Sequence, residues 1–185
     1  MESKNILSDS RINHLPVDAE LDQELLQKED EQESNETVLL KFDSRRDERQ
    51  LAFYLCYAID RFDYSVPLED MIKNFNDGFD VSLPENLFAI KLAKGAIENH
   101  LQLDEEITPY LKNWRLDRLG CCTRLILRLA LWELRQKDCI PSIVINEAVE
   151  LAKMFAEKDA YKFVNGILDE ICKNIVEHVP TEEQN

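Results

Sequence analysis

Residues 125–169, LILRLALWELRQKDCIPSIVINEAVELAKMFAEKDAYKFVNGILD, decide the fold. Cys122, Leu125, Ile126, Leu129 and Trp132 recur at helical spacing, and Leu127, Ala130, Leu131 and Leu134 fill most positions between them. A helix that is apolar nearly all round belongs at the centre of a fold. Pro141 breaks the chain, and Val144, Ala148, Leu151, Ala152 and Phe155 then mark one apolar stripe. After a further turn, Ala160, Phe163, Val164, Ile167, Leu168, Ile171 and Ile175 keep helical spacing over four turns.

The exceptions to this pattern carry charge. Arg124, Arg128 and Arg135 share one row of the central helix, and leucines hem in Arg128. A buried guanidinium needs a partner. Glu147, at the border of the next stripe, is the candidate, as a structural ion pair rather than a catalytic one. Gly166 lies inside the last helix, where glycine costs about 1 kcal/mol against alanine. It implies close approach of another helix or, less commonly, of a ligand backbone.

Working toward the N-terminus, Thr108-Pro109 reads as N-cap and first residue of a brief helix through Trp114. Pro84 opens a helix with Leu87, Ile90, Ala93, Ile97 and Leu101 inward. Pro67 opens a shorter one that Asp77-Gly78 stops. Ser44-Arg-Arg-Asp47 matches a helix start with Ser44 as N-cap, followed by Leu51, Leu55, Ala58, Ile59 and Phe62 on one face. Arg45, Arg46 and Arg49 occupy its first turns, where cations oppose the helix dipole. They are either a solvated cluster beside Asp47 and Glu48 or a phosphate clamp. No strand-like alternation occurs. The expectation is an all-α, compact bundle of about seven helices over residues 44–178, a disordered acidic tail over 1–43, and a frayed end over 179–185.

The totals narrow the function. Net charge is −15, with 4 basic against 12 acidic side chains in residues 1–44 and 18 against 25 in the rest. Any nucleic-acid site is therefore a local basic patch. The five cysteines are an odd number without a C-x-x-C pair, and the three histidines stand alone, so reduced core thiols and no metal are expected. No run reaches the ~20 apolar residues of a membrane span, and the N-terminus is not that of a secretory signal. The protein is expected in the cytoplasm. Four glycines leave little for phosphate loops, and no P-loop, dinucleotide, nucleophile-elbow or zinc-protease motif occurs. No enzyme and no cofactor are expected.

Three motifs, ILRLALWEL (126–134), INEAVELAK (145–153) and KFVNGILD (162–169), resemble the bacterial transcription antitermination factor family NusB, in the family's order. The resemblance runs weakly from about residue 45 and strongly from about 116 to 175. It implies a seven-helix domain that binds boxA-type single-stranded RNA of ribosomal RNA leaders. The implied partners are a NusE-like small-subunit ribosomal protein and the RNA polymerase antitermination complex. The RNA-binding residues it implies are Arg45, Arg46, Arg49, Tyr57, Tyr110, Phe155, Asp159, Lys162 and Phe163. Cations that pair with phosphates and rings that stack on bases are what single strands require. For Phe155 and Phe163, core packing is an equal reading, and for Lys162 plain solvation. Asp47 and Glu48 dilute the arginine run relative to the family pattern, so the alternative is a helical protein-interaction module with weak or lost RNA binding. A fused RNA methyltransferase, which the same domain can precede, finds no room after the last helix.

Overall fold

The nearly all-apolar segment forms the helix on which the others lean. In the computed structural model, which describes residue 42 and residues 44–177 (side chains to 174), it is one of seven α-helices. These are α1 (Arg45–Arg61), α2 (Leu68–Phe79), α3 (Phe88–Glu98), α4 (His100–Ile107), α5 (Cys121–Gln136), α6 (Pro141–Phe155) and α7 (Ala160–Glu177). Short 3-10 turns cover Thr108–Tyr110 and Leu116–Arg118. All described residues belong to one unit, Lys41–Asn185. There is no strand among them, and no helix among them is long and apolar enough to cross a membrane. Most of the tail over 1–43 and the end over 179–185 lie outside the described residues. Phe42 is described, and its ring centroid sits 6.4 Å from that of Phe75, so the packed region starts slightly ahead of Ser44.

Helix α5 packs against α1, α3, α4, α6 and α7. Ile126, Leu127 and Leu131 are at most 1% exposed, and with Leu51, Leu55, Ile59, Leu103, Val164 and Leu168 they form the centre of the core. The start of α1 is a complete capping box. The Asp47 N–H donates to Ser44 Oγ at 3.2 Å, and the Ser44 N–H donates to Asp47 Oδ2 at 3.1 Å. This satisfies two amide donors that would otherwise lack partners.

Four local expectations are corrected. Helix α2 runs through Gly78 to Phe79 and stops at Asp80, which adopts the left-handed conformation (φ 51°). The helix expected from Pro84 to Leu101 starts at Phe88 and breaks at Asn99, whose side-chain amide turns back to donate to the Gly95 carbonyl at 2.8 Å. The break re-aims the chain, so Leu101 falls on α4 and is 68% exposed. Thr108 both caps the end of α4 and opens only a short 3-10 turn to Tyr110, not a helix through Trp114, and its hydroxyl donates to the Asp104 carbonyl at 2.6 Å. At Gly166, nothing lies within 4 Å of where a Cβ would stand, so no close approach explains it. Gly95 is crowded instead: a Cβ there would run into the Trp132 indole, so α3 and α5 meet where one side chain is missing.

The expected Arg128–Glu147 pair does not form either. Arg128 forks onto Asp104 of α4 at 2.7 and 2.6 Å and donates to the Tyr64 hydroxyl at 2.6 Å. Asp60 stands 3.6 Å away and also receives Arg124. Helical spacing put Arg128 on a buried row but did not show which acid faces it. The α1–α4 side supplies Asp60 and Asp104, whereas Glu147 is taken by Arg46. Arg135 completes the row by pairing with Glu106. Burial raises the Asp60 pKa, but Cys121, Arg124, Tyr64 and Arg128 outweigh it, so the carboxyl lies below its ordinary value.

Candidate nucleic-acid interface

Successive residues on a helix point about 100° apart. Arg45 and Arg49, four residues apart, therefore share the face of α1 that meets Phe88, at different depths, while Arg46 leaves it about 100° round the helix. Arg49 turns inward and forks onto Glu133 of α5 at 2.9 and 2.5 Å, with both side chains about 93% buried (7% and 6% exposed). It is neither solvated nor open to a phosphate; it fastens α1 to α5. Arg46 is 59% exposed and forks onto Glu147 of α6 at 3.1 and 2.7 Å. The bond from Arg46 holds the Glu147 carboxyl below its ordinary pKa. Arg45 is 64% exposed and bonds Glu48 at 3.2 Å. Glu48 also accepts the Ala89 N–H at the start of α3, again at 3.2 Å.

Below Arg46 on the same face comes an aromatic band. Phe53, 3% exposed, stacks on Phe155 at the end of α6, with centroids 4.7 Å apart and planes at 17°. Tyr54 meets Phe155 edge-on at 5.3 Å, and Tyr57 lies 6.3 Å from Phe53. Tyr54 and Tyr57 are 47% and 40% exposed. Phe155 is thus half-buried and serves both packing and the surface. Tyr54 was missed in the sequence, although Arg46, Gln50, Tyr54 and Tyr57 (offsets 4, 8 and 11) make a helical stripe. It was passed over because only the apolar stripe of α1 was traced.

A second group of rings and charges lies at the turn between α6 and α7. Asp159 adopts φ 67° and pairs with the exposed Lys162 at 2.9 Å. Lys153 and Lys162 each approach the Tyr161 ring at 5.6 Å. Phe163 is half-buried and meets Trp114 edge-on at 6.1 Å; Trp114, 59% exposed, is a second residue missed in the sequence. Between them opens a cleft of about 470 Å³, lined by Trp114, Arg118, Gly120, Thr123, Lys158 and Phe163. The Glu157 carboxylate accepts the Thr123 hydroxyl at 2.8 Å and occupies the space where a Gly120 Cβ would stand. Tyr110 packs on the core from the 3-10 turn, which touches α7. The structure therefore places Arg46 against Glu147 of α6, links Tyr57 to Phe155 through Phe53, and gathers Asp159, Lys162 and Phe163 at the start of α7. It separates Arg49, which is interior.

This arrangement offers cations and rings and lacks an activated nucleophile. Burial pushes the Cys56 thiol up to about 12. Burial and a bond to Asp60 push Cys121 up to about 11, so both stay protonated at neutral pH.

Comparison with known proteins places the chain. The NusB family profile matches residues 46–173. Transcription antitermination protein NusB of Macrococcus caseolyticus is 39% identical over 132 residues, which is 71% of this chain and 98% of that protein. The Bacillus velezensis protein of the same name is 42% identical, covering 71% and 97%. Among solved structures, Thermotoga maritima NusB superposes with a TM-score of 0.61 at 34% identity, over 70% of this chain and 91% of that one. A chain of the antitermination factors NusB and NusE in complex with double-stranded RNA superposes with a TM-score of 0.61 at 29% identity, over 72% and 99%. With a profile that spans most of its helices and relatives matched over nearly their whole length, this chain belongs to the NusB family.

Proposed function

We propose that the protein is an RNA-binding transcription antitermination factor without catalytic activity. It holds boxA-type single-stranded RNA from ribosomal RNA leaders together with a NusE-like small-subunit ribosomal protein, within the RNA polymerase antitermination complex. One observation carries this reading: exposed Arg46 at the α1–α6 rim and exposed Tyr54 and Tyr57, packed with Phe53 and Phe155, rise from the same face of α1, with exposed Lys162 in the first turn of α7. Exposed cations beside exposed rings are the pairing that single strands use, with stacking contributing about 1–3 kcal/mol per base. The relative solved with NusE and double-stranded RNA supports RNA and a NusE-like protein as the classes of partner. In this reading Arg45, Arg46 and Lys162 meet phosphates, while Tyr57, Phe155, Phe163 and Tyr110 meet bases. Asp159 positions Lys162, and Arg49 holds the start of α1 in place.

The experiment is an electrophoretic mobility shift with a boxA-type RNA and a scrambled RNA, with and without the partner protein. The boxA-type RNA is expected to bind more tightly, most strongly with the partner present. Equal binding of both RNAs overturns the specificity. With two or three cations at phosphates, the slope of log affinity against log salt is expected near roughly −2.

A second reading, a protein-interaction module with weak RNA binding, is favoured by one feature: Arg45, Arg46 and Arg49 all hold carboxylates. An Arg46→Ala variant that binds RNA like the wild type, yet still captures the partner, would establish it.

A further inference from the structure

Arg45 serves a different surface from Arg46. Arg46 reaches α6, whereas the Arg45 guanidinium carbon stands 4.4 Å from the ring centroid of Phe88, the first residue of α3. There a second groove of about 460 Å³ opens beside α1, α3 and the end of α5. Its walls include Arg45, Phe88, Lys91, Trp132, Gln136 and Asp138. Phe88, with Arg45 over its ring, and Trp132 are half-buried; Lys91 and Gln136 are exposed.

The charges in the groove are mostly accounted for. Arg49 and Glu133 neutralise each other at 2.5 Å. Glu48 divides its oxygens between Arg45 and the Ala89 amide. That leaves the Arg45 guanidinium over the Phe88 ring, with donors beyond the one given to Glu48, and the exposed Lys91 in the same groove as Asp138, on a chain of net charge −15. A guanidinium fixed by an aromatic face keeps its remaining donors in a planar fork, and a planar fork suits a phosphate. Half-buried rings beside it suit a base. The start of α1 is the ridge between this groove and the Arg46 edge.

We propose that this groove is a nucleotide subsite. It takes a nucleotide of the bound strand beyond those held along α1, α6 and α7. The base packs on the Phe88 and Trp132 walls, and the phosphate meets Arg45 and Lys91. The proposal rests on the RNA-binding reading above and extends the strand over the start of α1.

The test compares two RNAs by fluorescence anisotropy on the full chain with its partner protein: a core boxA-type RNA, and the same RNA lengthened by a few nucleotides at either end. The lengthened RNA is expected to bind about tenfold more tightly, the effect of one well-stacked base. Lys91→Glu should remove most of that gain and leave core-RNA affinity unchanged; Phe88→Ala, which also takes the ring from under Arg45, should likewise remove most of the gain. Lys91 is exposed, so its variant keeps the test valid if Phe88→Ala unfolds, which circular dichroism reports. No gain on lengthening, or a gain that survives Lys91→Glu, overturns the subsite. Failure of the core RNA to bind overturns the RNA-binding reading and the subsite with it. If Lys91→Glu weakens partner capture without RNA and leaves both RNA affinities unchanged, the groove is a protein surface and the subsite is overturned.

Discussion

Arg128 and Arg46 both fork onto a carboxylate of another helix at about the same distance, yet they belong to two different regions. The Arg128 side chain is 7% exposed, and Asp104, Tyr64 and Asp60 surround it where α1, α4 and α5 meet. Arg46 is 59% exposed at the α1–α6 rim, with one partner. Pairing alone therefore does not separate a structural arginine from an available one. Desolvation does: removing a buried partner strands a charge that water cannot reach, whereas at the rim water replaces the lost bond.

The comparison breaks most sharply at Arg128. Arg128→Ala leaves Asp104 without its guanidinium and Asp60 with Arg124 alone, and is expected to cost about 3–5 kcal/mol of unfolding free energy. Chemical denaturation measures this. Arg46→Ala should leave the denaturation midpoint nearly unchanged, and equal losses at both sites would dissolve the distinction. Next comes Gly95→Ala, which drives a methyl group into the Trp132 indole and should cost about 1–3 kcal/mol.

For RNA the ranking reverses. Arg46→Ala is expected to weaken binding of a boxA-type RNA and to flatten the salt slope by about 0.7, one phosphate contact on a single strand. Gly95→Ala, once refolded, should leave that slope unchanged. Titrating affinity against salt checks both.

A smaller effect is expected in acid. The Glu147 carboxyl lies below its ordinary pKa because Arg46 donates to it, and Asp60 is also lowered despite burial. A carboxyl whose pKa is depressed on folding contributes stability that is fully present above its unfolded pKa of about 4. That contribution is lost as pH falls through the lower folded value. Thermal unfolding midpoints should therefore drop below about pH 4. Glu147→Gln should shallow that drop slightly. At neutral pH it should also release Arg46, so RNA affinity rises; an unchanged affinity means the Arg46 donors are not used by RNA.

What could be read in the sequence follows the same division. The central helix was legible because Leu125 to Leu134 is apolar on every side, and only the middle of a bundle accepts that. The Ser44–Asp47 start was legible because a capping box is local. The partner of Arg128 was not, since Asp104 and Glu147 are both acids at unremarkable distances along the chain, and the choice between them depends on how α4 and α6 dock. The break at Asn99 escaped because the apolar spacing runs through it without interruption. At the rim, the resemblance supplied Arg46, Tyr57 and Phe155, but it could not show that Arg49 points inward, that Tyr54 stands exposed against Phe155, or that Trp114 stands exposed against Phe163.

The finest probe of the rim is Gly166. It lies within α7, its backbone is not left-handed, and nothing stands within 4 Å of the missing Cβ. Alanine there reduces the freedom of the unfolded chain and suits the helix. Gly166→Ala is therefore expected to stabilise the free protein by about 0.4–1 kcal/mol, opposite in sign to Gly95→Ala. A loss of stability would mean that the open space is filled in solution. A gain accompanied by weaker capture of the partner protein would show that Gly166 is kept small for a surface that docks on α7. A gain with capture unchanged would confine docking to other faces and leave the glycine without a packing role.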